Sequence, residues 1–337
     1  MSFLTYKNES RHSLDSLTQI ALGASVAAVV GIKPFGRKVL LAGAALGTLP
    51  DLDIFISYNT AIDNFTFHRS FSHSLFVLSL FSLLLYCLAL WLKPQWRPDK
   101  KALFLVILLP LITHPLLDGF TTYGTQLWWP MTMQPTSWSS VFIIDPLYTL
   151  PLLISVIGLW CHQRSEKWQK TNRIILLVSC LYLTIGQTQL QYLKYQVAND
   201  PITKNNQVFI SPTPFNIVLW RVMSYQGDVY HEAFTTVFNQ EPLQWKASDS
   251  GRKLLQGFNS KELQRLEWFS GGLLKFERKE GELIVTDLRL GFSHVYPFSF
   301  SLAEQDNGWV SIPSEKMPEL DVNWGNIKKL INSLREK

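Results

Sequence analysis

The chain is short of charge and of cysteine. Lys, Arg, Asp and Glu make up 17% of its 337 residues, below the roughly 25% usual in soluble domains. Hydrophobic residues reach 47%, which excludes a disordered chain, because disorder needs low hydrophobicity and high net charge. Three cysteines (Cys87, Cys161 and Cys180) exclude a disulfide scaffold and a Cys-rich zinc module. Basic residues are almost missing from 57–72 and 118–140, which hold Arg69 alone. An N-terminal signal peptide fits poorly, since the basic cluster follows the first apolar run instead of preceding it. No internal repeat or low-complexity tract stands out.

What is present is a series of long apolar runs. Residues 73–92 contain no Lys, Arg, Asp or Glu and reach the length of about 20 residues that a bilayer span needs. Similar runs cover 102–117, 141–161 and 174–191, and two Gly/Ala-rich runs cover 17–32 and 39–56. Gly23, Ala24, Gly43, Ala44 and Gly47 suit close packing of helices inside a bundle. Trp91, Trp96, Trp128, Trp129, Trp138, Trp160 and Trp168 flank the runs, as an aromatic belt does.

The loops between runs carry an orientation signal. Segments 33–38, 93–101 and 162–173 hold eleven Lys/Arg against Asp99 and Glu166, a net +9 in a chain of net +5. Lys and Arg collect on the cytoplasmic side of membrane proteins. The basic excess therefore reads as topology, and a nucleic-acid partner is not expected. The expectation is a polytopic α-helical membrane domain of about six segments over 1–192, with both termini and loops 57–72 and 118–140 outside. From 193 to 337 no spanning run occurs. Alternating stretches at 273–277 and 282–290 are punctuated by Gly and Asn/Asp at 227–228, 271–272, 281 and 306–308. This predicts a small, mostly β extracytoplasmic domain with a closing helix near 323–335.

Ionisable side chains at membrane depth are costly and mark function. Asp51 and Asp53 sit in LPDLD, His68 and His73 bracket RSFS, His114 and Asp118 lie in THPLLDGF, and Asp145 opens run five. The topology brings all of them to the outer mouths of four segments. Imidazole and carboxylate are the usual ligands of a hydrolytic divalent ion. His114 and Asp118, four apart, share a helix face unless Pro115 begins a new turn. Six or seven candidates exceed the three ligands of a catalytic zinc. The surplus implies a second metal, a general base or carboxylates that orient the imidazoles. Each residue also has an ordinary reading. Asp51 and Asp53 could cap a turn after Pro50, and Asp145 before Pro146 is a common helix start and the weakest member. Arg69 could bind an anionic substrate or pair with Asp63 or Asp51. His12, His162, His231 and His294 stand apart.

The segments DSLTQIALGA (15–24), GTLPDLD (47–53), FHRSFSHS (67–74), THPLLDGFTTYGTQ (113–126) and FIIDPLYTLP (142–151) resemble the bacterial YdjM-like membrane-bound metal-dependent hydrolases. The resemblance implies a multi-pass inner-membrane protein with a metal centre whose ligands fall on Asp51, Asp53, His68, His73, His114 and Asp118. Some relatives read L-T-H where this chain has Leu17-Thr18-Gln19, which puts a seventh position in doubt. The expected function is a hydrolase at the outer face of the inner membrane. A divalent metal, zinc or alternatively manganese, activates water against an ester bond, with a phosphoester in a phospholipid headgroup the expected substrate and a soluble anionic substrate the alternative. Asp51 or Asp53 would serve as ligand or base, and Arg69 would hold the anion. A non-catalytic membrane regulator or envelope scaffold with a structural metal is the second reading. Transport ranks last, because the polar residues cluster at one rim.

Overall fold

The computed structural model describes residues 9–291 and 295–318, so the helix expected near 323–335 lies outside the described residues. The chain begins with α1 (Glu9–Phe35) and α2 (Lys38–Thr48). Between them Gly36 adopts φ +68° and donates its N–H to Ile32 at 3.0 Å, a left-handed helix stop that a side chain would disfavour. A 3-10 turn over Leu49–Phe55 leads to α3 (Ala61–Phe67), and a second over Phe71–His73 leads to α4 (Leu75–Leu92). A third over Pro94–Asp99 precedes α5 (Lys100–Gly119), followed by α6 (Pro146–Cys161) and α7 (Glu166–Val197). Helix starts follow capping chemistry: Ser74 accepts from the Val77 N–H for α4, and Asp145 accepts from the Leu147 N–H for α6, ahead of which Pro146 presets the first turn.

Among the described residues, four helices are long and apolar enough to cross a bilayer: Ser16–Phe35 within α1, α4, Pro94–Gly119 and α7. The expected count of six differs at two places. Helix α6 has 16 residues and α2 only 11; at 1.5 Å per residue α2 covers about 16 Å, roughly half a hydrocarbon core. Run 39–56 is therefore not one helix. Pro50 removes a helical N–H just ahead of two carboxylates, and the chain tightens into the 3-10 turn that carries Asp51 and Asp53.

Contacts divide the chain into two compact units. One comprises residues 1–56, 68–194 and 211–220; the other comprises 57–67, 195–210 and 221–337. Composition alone divides it once, near 192.

In the helical unit, α1 packs on α2, α5 and α6. A Cβ added to Gly23 would stand 2.3 Å from the Gly43 carbonyl oxygen, and one added to Gly47 would stand 2.8 Å from the Gln19 carbonyl oxygen. The two helices thus touch backbone to backbone, as small residues allow. Ala24, Ala27, Ala28, Ile32, Val39, Leu40, Val106 and Leu159 close the core beside this crossing. A buried amide adds polar ties. The Asn172 carbonyl accepts from Ser25 Oγ at 2.5 Å and Ser155 Oγ at 2.9 Å, and its NH2 donates to the Ser25 carbonyl at 3.0 Å.

The second unit is built on strands. β1 (Gln207–Pro212), β2 (Leu219–Gln226), β3 (Val229–Thr236) and β4 (Lys246–Asp249) form one sheet in that order. After α8 (Lys261–Ser270), β5 (Leu274–Lys279), β6 (Glu282–Asp287), β7 (Ser299–Gln305) and β8 (Trp309–Lys316) form a second, antiparallel meander. Glu280 and Gly281, at φ +52° and +87°, turn β5 into β6, as a two-residue hairpin requires. Helix α3 belongs to this unit: the Phe65 ring lies 5.0 Å from Phe269, 4.8 Å from Phe298 and 5.3 Å from Phe300. The chain leaves the helical unit at Ile56 and re-enters it at His68.

Candidate metal centre

Four side chains from three places in the helical unit converge. Asp51 comes from the 3-10 turn after α2, His73 from the turn before α4, and His114 and Asp118 from the last turns of α5. Their ligand-type atoms all lie within 4.8 Å of one another. Pro115 does not break α5, which runs through it to Gly119. His114 and Asp118 therefore stay on one face, with Nε2 3.4 Å from Oδ2. The site sits at the end of the bundle where α2 and α5 finish and α4 begins.

Hydrogen bonds assign the imidazole protons. His114 Nδ1 lies 2.5 Å from the Gly47 carbonyl oxygen, which can only accept, so Nδ1 carries a proton and, in the neutral imidazole, Nε2 carries a lone pair. His73 Nδ1 lies 2.9 Å from Ser72 Oγ, and that hydroxyl donates to Asp53 Oδ2 at 2.5 Å. The Ser72 oxygen thus accepts from His73 Nδ1, and the second Nε2 is bare as well. The two Nε2 atoms face each other at 3.0 Å. Asp51 Oδ1 stands 3.4 and 3.3 Å from them, and Asp118 Oδ2 stands 3.2 and 3.4 Å away. Both carboxylate oxygens are buried and accept no hydrogen bond.

When both imidazoles are neutral, four Lewis bases point at one another with no proton between them, an arrangement that is costly as it stands. With neutral imidazoles, the carboxylates of Asp51, Asp53 and Asp118 outweigh Arg69 by two negative charges. A divalent cation fits both counts, and the His2Asp2 set suits zinc or manganese.

Asp53 and His68, two of the six residues expected as ligands, lie beside this set and not in it. Asp53 Oδ1 meets His68 Nδ1 at 2.8 Å, while Oδ2 accepts from the Arg69 N–H at 2.9 Å and from Ser72. Burial by itself raises the Asp53 carboxyl, but hydrogen bonding and charge from His68, with His73 and Ser72, outweigh it and hold it below its ordinary value.

Arg69 is buried and adopts φ +61°. Its Nε stands 3.3 Å from Asp118 Oδ2, and its guanidinium lies 5.2 Å above the Tyr123 ring. Asp63, offered as its partner from sequence, pairs with Arg265 instead. Asp145 takes its ordinary role: it caps α6 and accepts from Tyr182 Oη at 2.5 Å. Two contributors escaped the sequence reading, Ser72 and the Gly47 carbonyl, and a third, Gln19, entered it only as the residue standing where some relatives carry a His. Ser72 relays between His73 and Asp53, and only its position in RSFSH hinted at this. The Gly47 carbonyl leaves no side-chain signal. Gln19, 1% exposed, donates to Asp118 Oδ1 at 2.8 Å and so leaves Oδ2 to the cluster.

Apolar spanning helices with a His/Asp cluster at one end define a multi-pass membrane protein with a candidate metal centre. The profile of the YdjM inner membrane protein family matches residues 14–193, and the chain belongs to that family. It is 27% identical to the uncharacterized protein YfhP of Bacillus subtilis over 66% of this chain and 70% of that one. It is 30% identical to the inner membrane protein YbcI of Escherichia coli over 34% of this chain and 64% of that one. No solved structure matches it.

Proposed function

We propose that Asp51, His73, His114 and Asp118 hold a divalent cation, and that the protein is a membrane-bound metal-dependent hydrolase. It acts at the outer face of the inner membrane on a phosphoester, carried by a lipid headgroup or by a soluble anion. The observation that carries this reading is the pair of buried, hydrogen-bond-free carboxylate oxygens facing two bare imidazole nitrogens.

A cation held there supplies Lewis acidity, which acidifies water and polarises a phosphoryl oxygen. The protein's own groups divide the remaining work. Gly47, Ser72 and Gln19 fix the tautomers and rotamers of His114, His73 and Asp118. Arg69, stacked on Tyr123 beside Asp118, contributes fixed positive charge toward an anionic substrate. Asp53 holds the His68 proton on Nδ1, which leaves Nε2 to take a proton from water and return it to the leaving oxygen. The His68 side chain is 19% exposed and that of Asp51 is 22% exposed, whereas His73 and His114 are sealed. That opening favours catalysis over a purely structural metal, since structural sites are closed.

The test is to purify the protein in detergent, measure bound metal, and follow phosphodiester hydrolysis by wild type, His73→Ala and His114→Ala. Bound zinc or manganese, with metal and activity lost in both variants, is the expected result. Wild type free of metal overturns the reading. An alkaline phosphatase fusion at the C-terminus tests the outside assignment: activity on the periplasmic side is expected.

A further inference from the structure

The segments that flank the site expose apolar side chains. Beside Asp51 and Asp53, the side chains of Leu52, Ile54 and Phe55 are 56%, 45% and 80% exposed; in the loop after α5, Met131 and Met133 are 55% and 57% exposed. Neither segment is part of a spanning helix, and residues 126–136 contain no ionisable side chain.

The two segments form one rim through backbone ties. The Arg69 N–H donates to Asp53 Oδ2 at 2.9 Å, and its carbonyl accepts from the Gln126 N–H at 2.9 Å. The Leu75 N–H donates to the Leu127 carbonyl at 2.9 Å, Ser74 Oγ donates to the Trp129 carbonyl at 2.7 Å, and the Trp129 ring lies 6.2 Å from Phe71. Through these contacts the rim continues onto α4, whose Phe76, Leu80 and Leu84 are exposed and whose spanning stretch is only 11% buried. In an inner-membrane protein that face of α4 meets lipid.

An aqueous entrance for a soluble anion would carry polar or basic side chains, which raise its local concentration. Large apolar side chains beside Trp at the end of a span instead belong in the headgroup–acyl boundary. His114 lies five residues inside the end of α5, about 8 Å by helical rise, the depth at which a headgroup ester meets its chains. The geometry points to a site that opens into the leaflet through this rim and takes an amphiphilic substrate, a phospholipid whose chains stay in the bilayer while its phosphoester reaches the cation. The rim assignment stands on exposure and continuity; the ester rests on the hydrolase reading above.

Two arms test it. In a chain with Cys87, Cys161 and Cys180 replaced by Ser, nitroxides are attached through Phe55→Cys or Met131→Cys, with Leu84→Cys as lipid control and Asn307→Cys as water control. In phosphatidylethanolamine/phosphatidylglycerol vesicles, labels at 55 and 131 should relax with oxygen as the label at 84 does. Preferential relaxation by a water-soluble nickel chelate at both sites overturns the rim. In the second arm, manganese-loaded protein receives phosphatidylglycerol vesicles or water-soluble glycerophosphoglycerol, which shares the headgroup and lacks the chains. At least tenfold faster turnover of the chain-bearing compound is expected, and equal turnover of the soluble one overturns the substrate class. Turnover of neither, with both labels in the leaflet, removes the hydrolase reading and leaves the lipid-facing rim standing.

Discussion

His114 donates its Nδ1 proton to the carbonyl oxygen of Gly47 at 2.5 Å, so the backbone of one helix sets the tautomer of a ligand-type side chain on another. Gly47 also lies against the Gln19 backbone where α1 and α2 cross, so one residue serves both the candidate metal centre and the glycine crossing.

Gly47→Ala should therefore act on both. The added Cβ would stand 2.8 Å from the Gln19 carbonyl oxygen and 3.0 Å from Gly23 Cα, and backbone cannot yield as a side-chain tip does. Overpacking of this kind costs about 1–3 kcal/mol. Thermal unfolding in detergent should show a lower Tm, and titration calorimetry should show weaker metal binding.

Gln19→Leu keeps the bulk and removes the amide that occupies Asp118 Oδ1. Metal affinity should fall about 10–100-fold, the usual cost of losing a partner that orients a ligand, while Tm without metal changes little. X-ray absorption on the zinc-loaded variant should report an added oxygen as Asp118 becomes bidentate. Wild-type affinity and coordination in Gln19→Leu would remove its positioning role.

His68→Gln separates proton transfer from metal holding. Bound metal should stay at the wild-type level, because the His68 ring packs edge-on against His73 and bonds Asp53 but supplies no ligand atom to the four-residue cluster. Hydrolysis should drop about 10²–10⁴-fold, the range for a lost acid–base group. Loss of metal in His68→Gln would return His68 to the ligand set.

Chelation should destabilise the helical unit. A cation that binds only the folded state adds about 2.7 kcal/mol at a hundredfold excess over Kd, and its removal exposes the two carboxylates and two imidazoles to one another. Treatment with a strong chelator should lower Tm, and zinc or manganese should restore it. In His114→Ala the chelator should have no effect.

The separation of an apolar helical part from a strand-rich part was legible in hydropathy and turn residues alone, because bilayer length and period-two alternation are one-dimensional signals. Gly23, Gly43 and Gly47 announced a close crossing for the same reason: side-chain size is written in the sequence. Convergence of Asp51, His73, His114 and Asp118 on one end was also readable, from run ends and loop charges together. Tertiary structure decided what that ordering cannot contain. Helix α2 stops at Thr48 and gives way to a 3-10 turn at Pro50, whereas α5 runs through Pro110 and Pro115; which proline ends a helix is set by the surrounding packing and not by the residue alone. Residues 57–67 join the strands because the Phe65 ring finds Phe269, Phe298 and Phe300. Asp53 and His68, alike in type and spacing to the ligand candidates, fall beside the centre because a hydrogen bond of 2.8 Å turns them toward each other. Sequence fixes which donors exist and near which end of the bundle they lie; distances of a few ångströms decide which of them face one another.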